Sequence, residues 1–168
     1  MKKAVGIIAE YNPFHKGHAY HIEKAKELTG ADYAVVVLSG DFVQRGAPAS
    51  SDKYIRTRTA LLGGADLVLE LPVCAAVSSA ETFARTGVRL LDSLNCVNFL
   101  SFGCETDRKE LLSSLARLFA QEPPAFSRGL SSYLKQGYSF PAARAKAAAD
   151  HFRSEECLDL LSRPNNIL

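Results

Sequence analysis

The chain of 168 residues is long enough for one domain with a substantial core, and its composition, 47% hydrophobic and 23% charged, is ordinary for a folded domain. Its formal net charge of +2 permits a nucleic-acid partner without requiring one. The four cysteines show no C-x-x-C spacing and two lie in apolar runs that predict burial, so we expect no disulfide framework and a cytoplasmic location. The apolar run after Lys2 and Lys3 is too short for a signal sequence or a membrane span.

The N-terminal segment predicts a strand, a loop and a helix. Residues 3–9 form an apolar run without alternation, which is typical of a strand buried on both faces of a parallel sheet. Asn12 and Pro13 stop this strand. Between residues 17 and 28 apolar positions recur at three-residue steps, which predicts a helix closed by Gly30.

Three more strands are expected, at residues 33–38, 66–72 and 97–102, with helices at about 52–62 and 79–94. Ser50 or Ser51 is expected to cap the first of these helices. The alternation predicts an α/β fold, a Rossmann-like doubly wound parallel sheet with helices on both faces. The strand ends should then converge on the edge where such sheets bind ligands. These strand ends are Glu10, Gly40, Glu70 and Gly103.

After Asp107 the pattern becomes helical, with helices expected at residues 108–120, 126–136, 142–152 and 155–161. We therefore interpret the chain as one domain, with an α/β core at residues 1–107 and a helical extension at residues 108–168. The chain stops on a polar turn and two apolar residues, from which we expect a C-terminal truncation.

Three histidines, His15, His18 and His21, lie three residues apart around the first predicted helix start. A helix N-terminus with a glycine offers free N–H groups to an anion, so a nucleotide phosphate is the expected ligand. Zinc is a second interpretation, but the only other histidine is His151 and the cysteines are scattered, so we expect no metal site. The third interpretation is that the histidines are structural, and His21 fits this role best. Imidazoles placed on phosphates would neutralise the charge that develops as pyrophosphate leaves.

Several charged residues beyond the strands leave alternatives open. Arg45 would orient a small carboxylate by a bidentate contact, or form a surface salt bridge. Glu70 would bind a metal-bridged phosphate or cap a neighbouring helix. Lys53, Arg56 and Arg58 oppose the dipole of their helix and would face either an external anion or solvent. These three are also candidates for RNA contacts, together with Arg144, Lys146 and Arg153.

The motif Phe14-His15-Lys16-Gly17-His18 after the first strand resembles the HxGH signature of the nucleotidyltransferase superfamily, whose members attack the α-phosphate of ATP and release pyrophosphate. Longer strings make the resemblance more specific. They are EYNPFH at residues 10–15, GDFVQRG at 40–46, GGADLVLELP at 63–72, FGCE at 102–105 and PNNIL at 164–168. With these strings nearly the whole chain resembles the bacterial tRNA(Met) cytidine acetate ligase family.

The resemblance implies that acetate and ATP give acetyl-adenylate, and that the acetyl group then passes to N4 of the wobble cytidine of elongator tRNA(Met). It also implies a nucleotide site, whose residues are Ile7, Ile8, Ala9, Glu10, Tyr11, Asn12, Pro13, Phe14, His15, Lys16, Gly17, His18, Ala19, Tyr20, Gly103 and one of Asn165 and Asn166. The residues expected to act in the chemistry are His15, His18, Asp41 and Arg45. Magnesium is expected from the chemistry of ATP rather than from any ligand cluster.

Family members are considerably longer, and arginines that follow this point in the family, with a second phosphate motif, are absent here. Two other functions therefore stay open: an adenylyltransferase of a coenzyme precursor, and a nucleotide-binding fragment without catalysis. The expected partners are ATP, acetate and tRNA, with no membrane contact. The sequence leaves the oligomeric state open.

Overall fold

The computed structural model of the chain describes residues 2–104 and 108–162, apart from the side chain of Arg45. It divides into two compact units, Met1–Gly103 and Cys104–Leu168. Strands and helices alternate in the first unit, whereas the elements of the second are helices. The interpretation of residues 108–168 as an extension of a single domain stays a prediction.

Within the described residues, the first unit contains a four-stranded parallel sheet in the order β3-β2-β1-β4. The strands are β1 (Ala4–Ala9), β2 (Tyr33–Ser39), β3 (Leu67–Leu71) and β4 (Phe99–Ser101). β1 pairs along its whole length with β2 on one side, and over Val5, Gly6 and Ile7 with β4 on the other. The strand order reverses between β1 and β4, which makes this the topological switch point, where open α/β sheets bind ligands.

Helices cover both faces of the sheet. They are α1 (Lys16–Thr29), α2 (Lys53–Leu62), α3 (Val73–Ala76) and α4 (Ala80–Ser93). Ile22 of α1 and Ala60 of α2 lie in one buried cluster with Val36. Leu91 of α4 lies in a second cluster with Val35. Since neighbouring residues of a strand point to opposite faces, the two clusters are the two sides of a doubly wound sheet, and the predicted fold class is confirmed.

The second unit is built from α5 (Lys109–Gln121), α6 (Pro124–Lys135), α7 (Phe140–Phe152) and α8 (Glu156–Ser162). Its core joins Leu115, Phe126, Ala148, Cys157 and Leu160. No strand occurs between residues 108 and 162, as expected from the helical pattern. In the part of the chain that the structure describes, no helix combines the length and apolarity needed to cross a membrane.

The predicted cap of α2 was wrong. Asp52 is the N-cap residue, and its Oδ1 accepts a hydrogen bond from the N–H of Tyr54 at 2.7 Å. The two serines make other contacts. The N–H of Ser50 donates to Asn12 Oδ1 at 2.6 Å, and the carbonyl of Ser51 accepts from Arg56 at 3.1 Å. Both serines therefore belong to the loop that precedes α2.

The expectation that two cysteines are buried was also wrong. Cys157 is buried, whereas Cys74, Cys96 and Cys104 are exposed. Cys74 lies on α3, a four-residue helix that the apolar run did not predict, and it is the neighbouring alanines of α3 that enter the core. A continuous apolar run hides which of its residues face outward once it turns into a helix.

Candidate active site

The start of α1 is organised by its two histidines. His15 is the N-cap residue, and its Nδ1 accepts a hydrogen bond from the N–H of Gly17 at 3.1 Å. His18, one turn later, accepts through its own Nδ1 from the N–H of His15 at 3.2 Å. The pair is a capping box in which imidazoles take the places usually filled by serine and glutamate. A neutral imidazole that accepts at Nδ1 carries its proton on Nε2, so each ring presents an Nε2–H donor away from the backbone.

His18 is enclosed by aromatic rings. Its ring stacks on His15 with centroids 3.6 Å apart, and it lies 4.7 Å from the ring of Tyr11 and 5.6 Å from that of Phe14. This burial, and secondarily the proximity of His15 and His21, lowers the pKa of His18 to about 4. At neutral pH His18 is therefore an uncharged hydrogen-bond donor, so its contribution at this site is a directed N–H rather than a full positive charge.

Two buried hydroxyl groups at the strand ends have no hydrogen-bond partner among the described residues. They belong to Tyr11, two residues after β1, and Ser39, the last residue of β2. Tyr11 has a left-handed backbone (φ 44°), which is uncommon for a non-glycine residue and occurs often at functional sites. Burial raises the pKa of Tyr11, which keeps its hydroxyl protonated. Unsatisfied hydroxyls here fit a site that receives a polar ligand.

His21 contacts the sheet instead of the helix start. Its Nε2 lies 2.9 Å from the Ser101 hydroxyl at the end of β4, and burial lowers its pKa. This contact joins α1 to β4 across the switch point, which fits the structural role anticipated for His21. Gly103 follows two residues later and is exposed, with open space where a side chain would be.

Arg56 is the residue at this edge whose role the sequence reasoning missed. It is 1% exposed, and its guanidinium donates to four backbone carbonyls of the described residues. Nη1 reaches Glu10 at 2.7 Å and Ser39 at 3.0 Å, Nη2 reaches Gly40, and Nε reaches Ser51. The expectation that Arg56 faces an external anion, solvent or RNA was wrong, because the fold buries it beneath the ends of β1 and β2. Nothing in the sequence pattern separates it from Arg58, which is exposed.

The buried guanidinium of Arg56 places a positive charge under the ends of β1 and β2. Among the described residues no carboxylate lies within ion-pair distance of it. Its charge is instead balanced by the carbonyl dipoles at the strand ends. A fixed positive charge beneath a crevice attracts anionic ligands, so this guanidinium favours phosphate or carboxylate at the same edge.

The loop between β2 and α2 is tied to the loop after β1 by two further hydrogen bonds. Glu10 Oε1 accepts from the N–H of Gln44 at 2.6 Å, and Asn12 Oδ1 accepts from the N–H of Ser50. With the bonds of Arg56, they fix the loop of residues 40–52 against the segment that leads into the histidines. The predicted convergence of strand ends is therefore present for Glu10 and Gly40, and Glu70 lies close to Gly40.

Asp41 and Glu70 share one lysine. Lys53 Nζ lies 2.9 Å from both carboxylate oxygens of Glu70 and 3.8 Å from Asp41 Oδ2, and the bond to Glu70 raises the pKa of Lys53. The hydrogen bonds of the described residues thus connect Asp41 with Lys53 and with neither histidine. Arg45 lies in the 3-10 turn Gln44–Gly46, and its side chain is outside the described part, as are Asn165 and Asn166.

The described residues do not fit a magnesium ion held by protein ligands. They contain no group of three histidine, cysteine, aspartate or glutamate side chains that would hold a metal. Of the carboxylates at this edge, Asp41 and Glu70 are engaged by Lys53, and Glu10 accepts from the N–H of Gln44. No chemical step is therefore assigned to a metal bound by this chain.

Comparison with known proteins gives the family. Residues 1–168 match the family model of the HIGH nucleotidyl transferases. The chain belongs to this family. The histidines of the α1 capping box are the histidines of the motif, and the sequence-based recognition of an HxGH nucleotidyltransferase is confirmed.

Individual relatives are more specific. The chain is 48% identical over 164 residues to a tRNA(Met) cytidine acetate ligase of Thermoanaerobacter sp. (strain X514), covering 98% of this chain and 41% of the relative. It is 50% identical over 166 residues to a ligase of the same name from Caldicellulosiruptor saccharolyticus, covering 99% and 40%. The crystal structure of Thermotoga maritima TmcAL bound with alpha-thio ATP superposes with a TM-score of 0.93 at 43% identity, covering 98% and 41%. The chain thus spans about two fifths of the length of these relatives.

Proposed function

We propose that this chain is the ATP-binding part of a cytoplasmic tRNA(Met) cytidine acetate ligase. The observation that carries the proposal is the pair of Nε2–H donors that His15 and His18 present at the N-terminus of α1, beside the switch point of the sheet. A helix N-terminus with two such donors suits the phosphates of a nucleotide. The relatives named as ligases and the TmcAL structure with alpha-thio ATP support the same assignment.

In the proposed reaction, an oxygen of acetate attacks the α-phosphorus of ATP. The bond from that phosphorus to the oxygen bridging the α- and β-phosphates breaks, and pyrophosphate leaves with the electron pair. Acetyl-adenylate is then attacked at its carbonyl carbon by the N4 amine of the tRNA cytidine, which releases AMP and a proton. His15 and His18 hold the phosphates and donate to the oxygens on which charge increases, which is electrostatic stabilisation by preorganised donors.

The remaining site residues are assigned from the family resemblance. It assigns the segment 7–20, Gly103 and one of Asn165 and Asn166 to the nucleotide, the two asparagines being outside the described residues. Asp41 and Arg45, on the loop of residues 40–52, border the acetate. This loop is hydrogen-bonded to Glu10 and Asn12, which belong to the nucleotide segment. The acetate and the ATP would therefore bind next to each other. ATP enters as its magnesium complex, with the ion carried by the phosphates.

Pyrophosphate exchange tests this proposal. Labelled pyrophosphate is incubated with ATP and the chain, in the presence of acetate, of longer carboxylates or of none. We expect label to enter ATP only when a carboxylate is present, with acetate the most effective. Exchange that needs a phosphopantetheine or nicotinamide nucleotide instead of a carboxylate would contradict the ligase assignment and support a coenzyme adenylyltransferase.

A second candidate is a nucleotide-binding part that does not catalyse by itself. The observation that favours it is the coverage of the relatives, 40% to 41% of their length. ATP binding without acetate-dependent exchange would support this candidate, and exchange would exclude it.

A further inference from the structure

The helix pair α6–α7, residues 124–153, carries a distinct charge. It holds five of the chain's 20 Lys and Arg residues but only one of its 18 Asp and Glu residues, Asp150, a balance of +4 against +2 for the whole chain. The basic residues are Arg128, Lys135, Arg144, Lys146 and Arg153. The net positive charge of the chain is therefore concentrated in this pair of helices.

These five cations differ in their partners from four lysines of the sheet unit. Lys2, Lys24, Lys26 and Lys53 each form an ion pair with a carboxylate. Within the described residues, none of the five on α6 and α7 does so. The one acidic residue of the pair, Asp150, accepts instead a hydrogen bond from the Tyr133 hydroxyl at 2.7 Å. The charge of the helix pair is therefore available to an external anion.

The outward face of α6 has the side chains that contact phosphodiesters. Arg128, Ser131, Ser132 and Lys135 recur at three- and four-residue intervals, so they lie along one face, and all four are exposed. With Ser127 they line one shallow depression. Arginine, lysine and hydroxyl groups are the side chains that most often bind nucleic-acid phosphates. This face therefore suits a negatively charged backbone that runs along the helix.

Aromatic rings lie next to the cations. Lys146 Nζ is 4.9 Å from the ring centroid of Tyr138, and the guanidinium of Arg144 is 5.7 Å from that of Phe140. Both rings remain on the surface, with exposures of 40% and 51%. An exposed ring held beside a cation is a platform on which an unpaired base stacks. A poly-glutamate chain would contact the cations, but it has no ring to stack on these aromatic side chains.

We propose that the α6–α7 helix pair is a docking surface for a single-stranded segment of RNA, with its phosphates along the Arg128–Lys135 face of α6 and its bases on Tyr138 and Phe140. The proposal rests on the proposed function in one respect, namely that tRNA(Met) is the RNA used to test it. It commits to RNA over an acidic protein because charge and exposed rings occur together.

Fluorescence anisotropy with labelled tRNA(Met), measured between 50 and 200 mM salt, tests the surface. The double variant Arg128→Gln/Lys135→Gln should bind about tenfold more weakly, with a slope of log affinity against log salt shallower by about 1.5, as expected for two lost phosphate contacts. The matched control, Lys2→Gln/Lys24→Gln, removes the same charge from the sheet unit and should bind like the unmodified chain. Equal binding by both double variants, or an equal loss in both, would overturn the proposal.

The stacking part has its own variant and control. Tyr138→Leu should weaken binding of a single-stranded oligonucleotide roughly tenfold, whereas Tyr33→Leu, at an exposed tyrosine of β2, should leave binding unchanged. Binding to poly-glutamate that matches RNA binding, with no effect of Tyr138→Leu, would overturn the RNA assignment in favour of an acidic partner.

Acetate-dependent pyrophosphate exchange, measured without RNA, separates this inference from the proposed function. The α6–α7 variants should bind RNA more weakly and keep the exchange rate of the unmodified chain. Retained RNA binding in these variants with normal exchange would reject the docking surface alone. Absent exchange with intact, variant-sensitive RNA binding would reject the activity alone.

Discussion

At the scale of single residues, the backbone determines which way the two imidazoles of α1 donate. Both Nδ1 atoms are occupied by backbone N–H donors, so His15 and His18 have their protons on Nε2. The glycine and histidine spacing predicts an anion site at this helix start, and that site stays a proposal. The spacing was not sufficient to predict the tautomers, which depend on hydrogen bonds, or the neutral state of His18, which depends on the rings of Tyr11, Phe14 and His15 packing around it.

The protonation state of His18 leads to a prediction about pH. Its pKa is lowered from 6.5 to about 4, so the folded chain favours the neutral ring. The unfolded chain binds the proton more readily, so the stabilisation is complete above pH 6.5 and is lost as pH falls toward 4. In long-range ¹H–¹⁵N spectra of the imidazoles, His18 should show the Nε2–H tautomer and titrate near pH 4. An Nδ1–H tautomer would contradict the capping-box geometry, and titration near the ordinary value would contradict the effect of burial on the pKa of His18.

At the scale of secondary-structure elements, Arg56 connects three segments of the site. Its guanidinium bonds to the carbonyl that follows β1, to two at the end of β2 and to one before α2, its own helix. Sequence reasoning treated Arg56 and Arg58 alike, since both are basic residues in the same helix. Which of the two is buried depends on how α2 packs against the strand ends, and two positions along a helix point about 200° apart. Local patterns contain no information on that packing.

Replacing each arginine by methionine tests the connection. Arg56→Met leaves four buried or partly buried carbonyls without their donor, and an unsatisfied buried group costs about 1–3 kcal/mol. We expect the free energy of unfolding, measured by urea titration, to fall by on the order of 3 kcal/mol. Arg58→Met is the matched control on the exposed side of α2 and should change stability by less than about 0.5 kcal/mol. Similar losses in the two variants would show that Arg56 does not hold the strand ends together.

At the scale of the whole molecule, the sheet was the most predictable feature. The apolar runs of β1 and β2 are buried on both faces and have no other stable environment, so their positions and parallel pairing followed from the sequence. Boundaries were less predictable: β4 is limited to Phe99–Ser101 within the longer run of residues 97–102. The helix α3 was missed because it lies inside a continuous apolar run, and the cap of α2 because Ser50, Ser51 and Asp52 are all residue types that favour an N-cap. The assignment of ATP binding to the sheet unit and of RNA docking to the helical unit stays a proposal.

The proposed function requires the Nε2–H donors of His15 and His18 to hold the phosphates of ATP. Asparagine at each position would place its Oδ1 near the site of Nδ1, which keeps the acceptors of the capping box while removing both Nε2–H donors. The variant His15→Asn/His18→Asn therefore tests the phosphate contacts without removing the helix cap, and His151→Asn, on α7, is its control.

Isothermal titration calorimetry with ATP is the most direct measurement, because binding requires only the nucleotide site, whatever else catalysis needs. Hydrogen bonds to a charged group contribute about 1.5 kcal/mol or more each, so the double variant should bind ATP roughly a hundredfold more weakly than the unmodified chain. His151→Asn should bind as the unmodified chain does. Unchanged ATP affinity in His15→Asn/His18→Asn would show that these Nε2–H donors do not hold the phosphates of ATP.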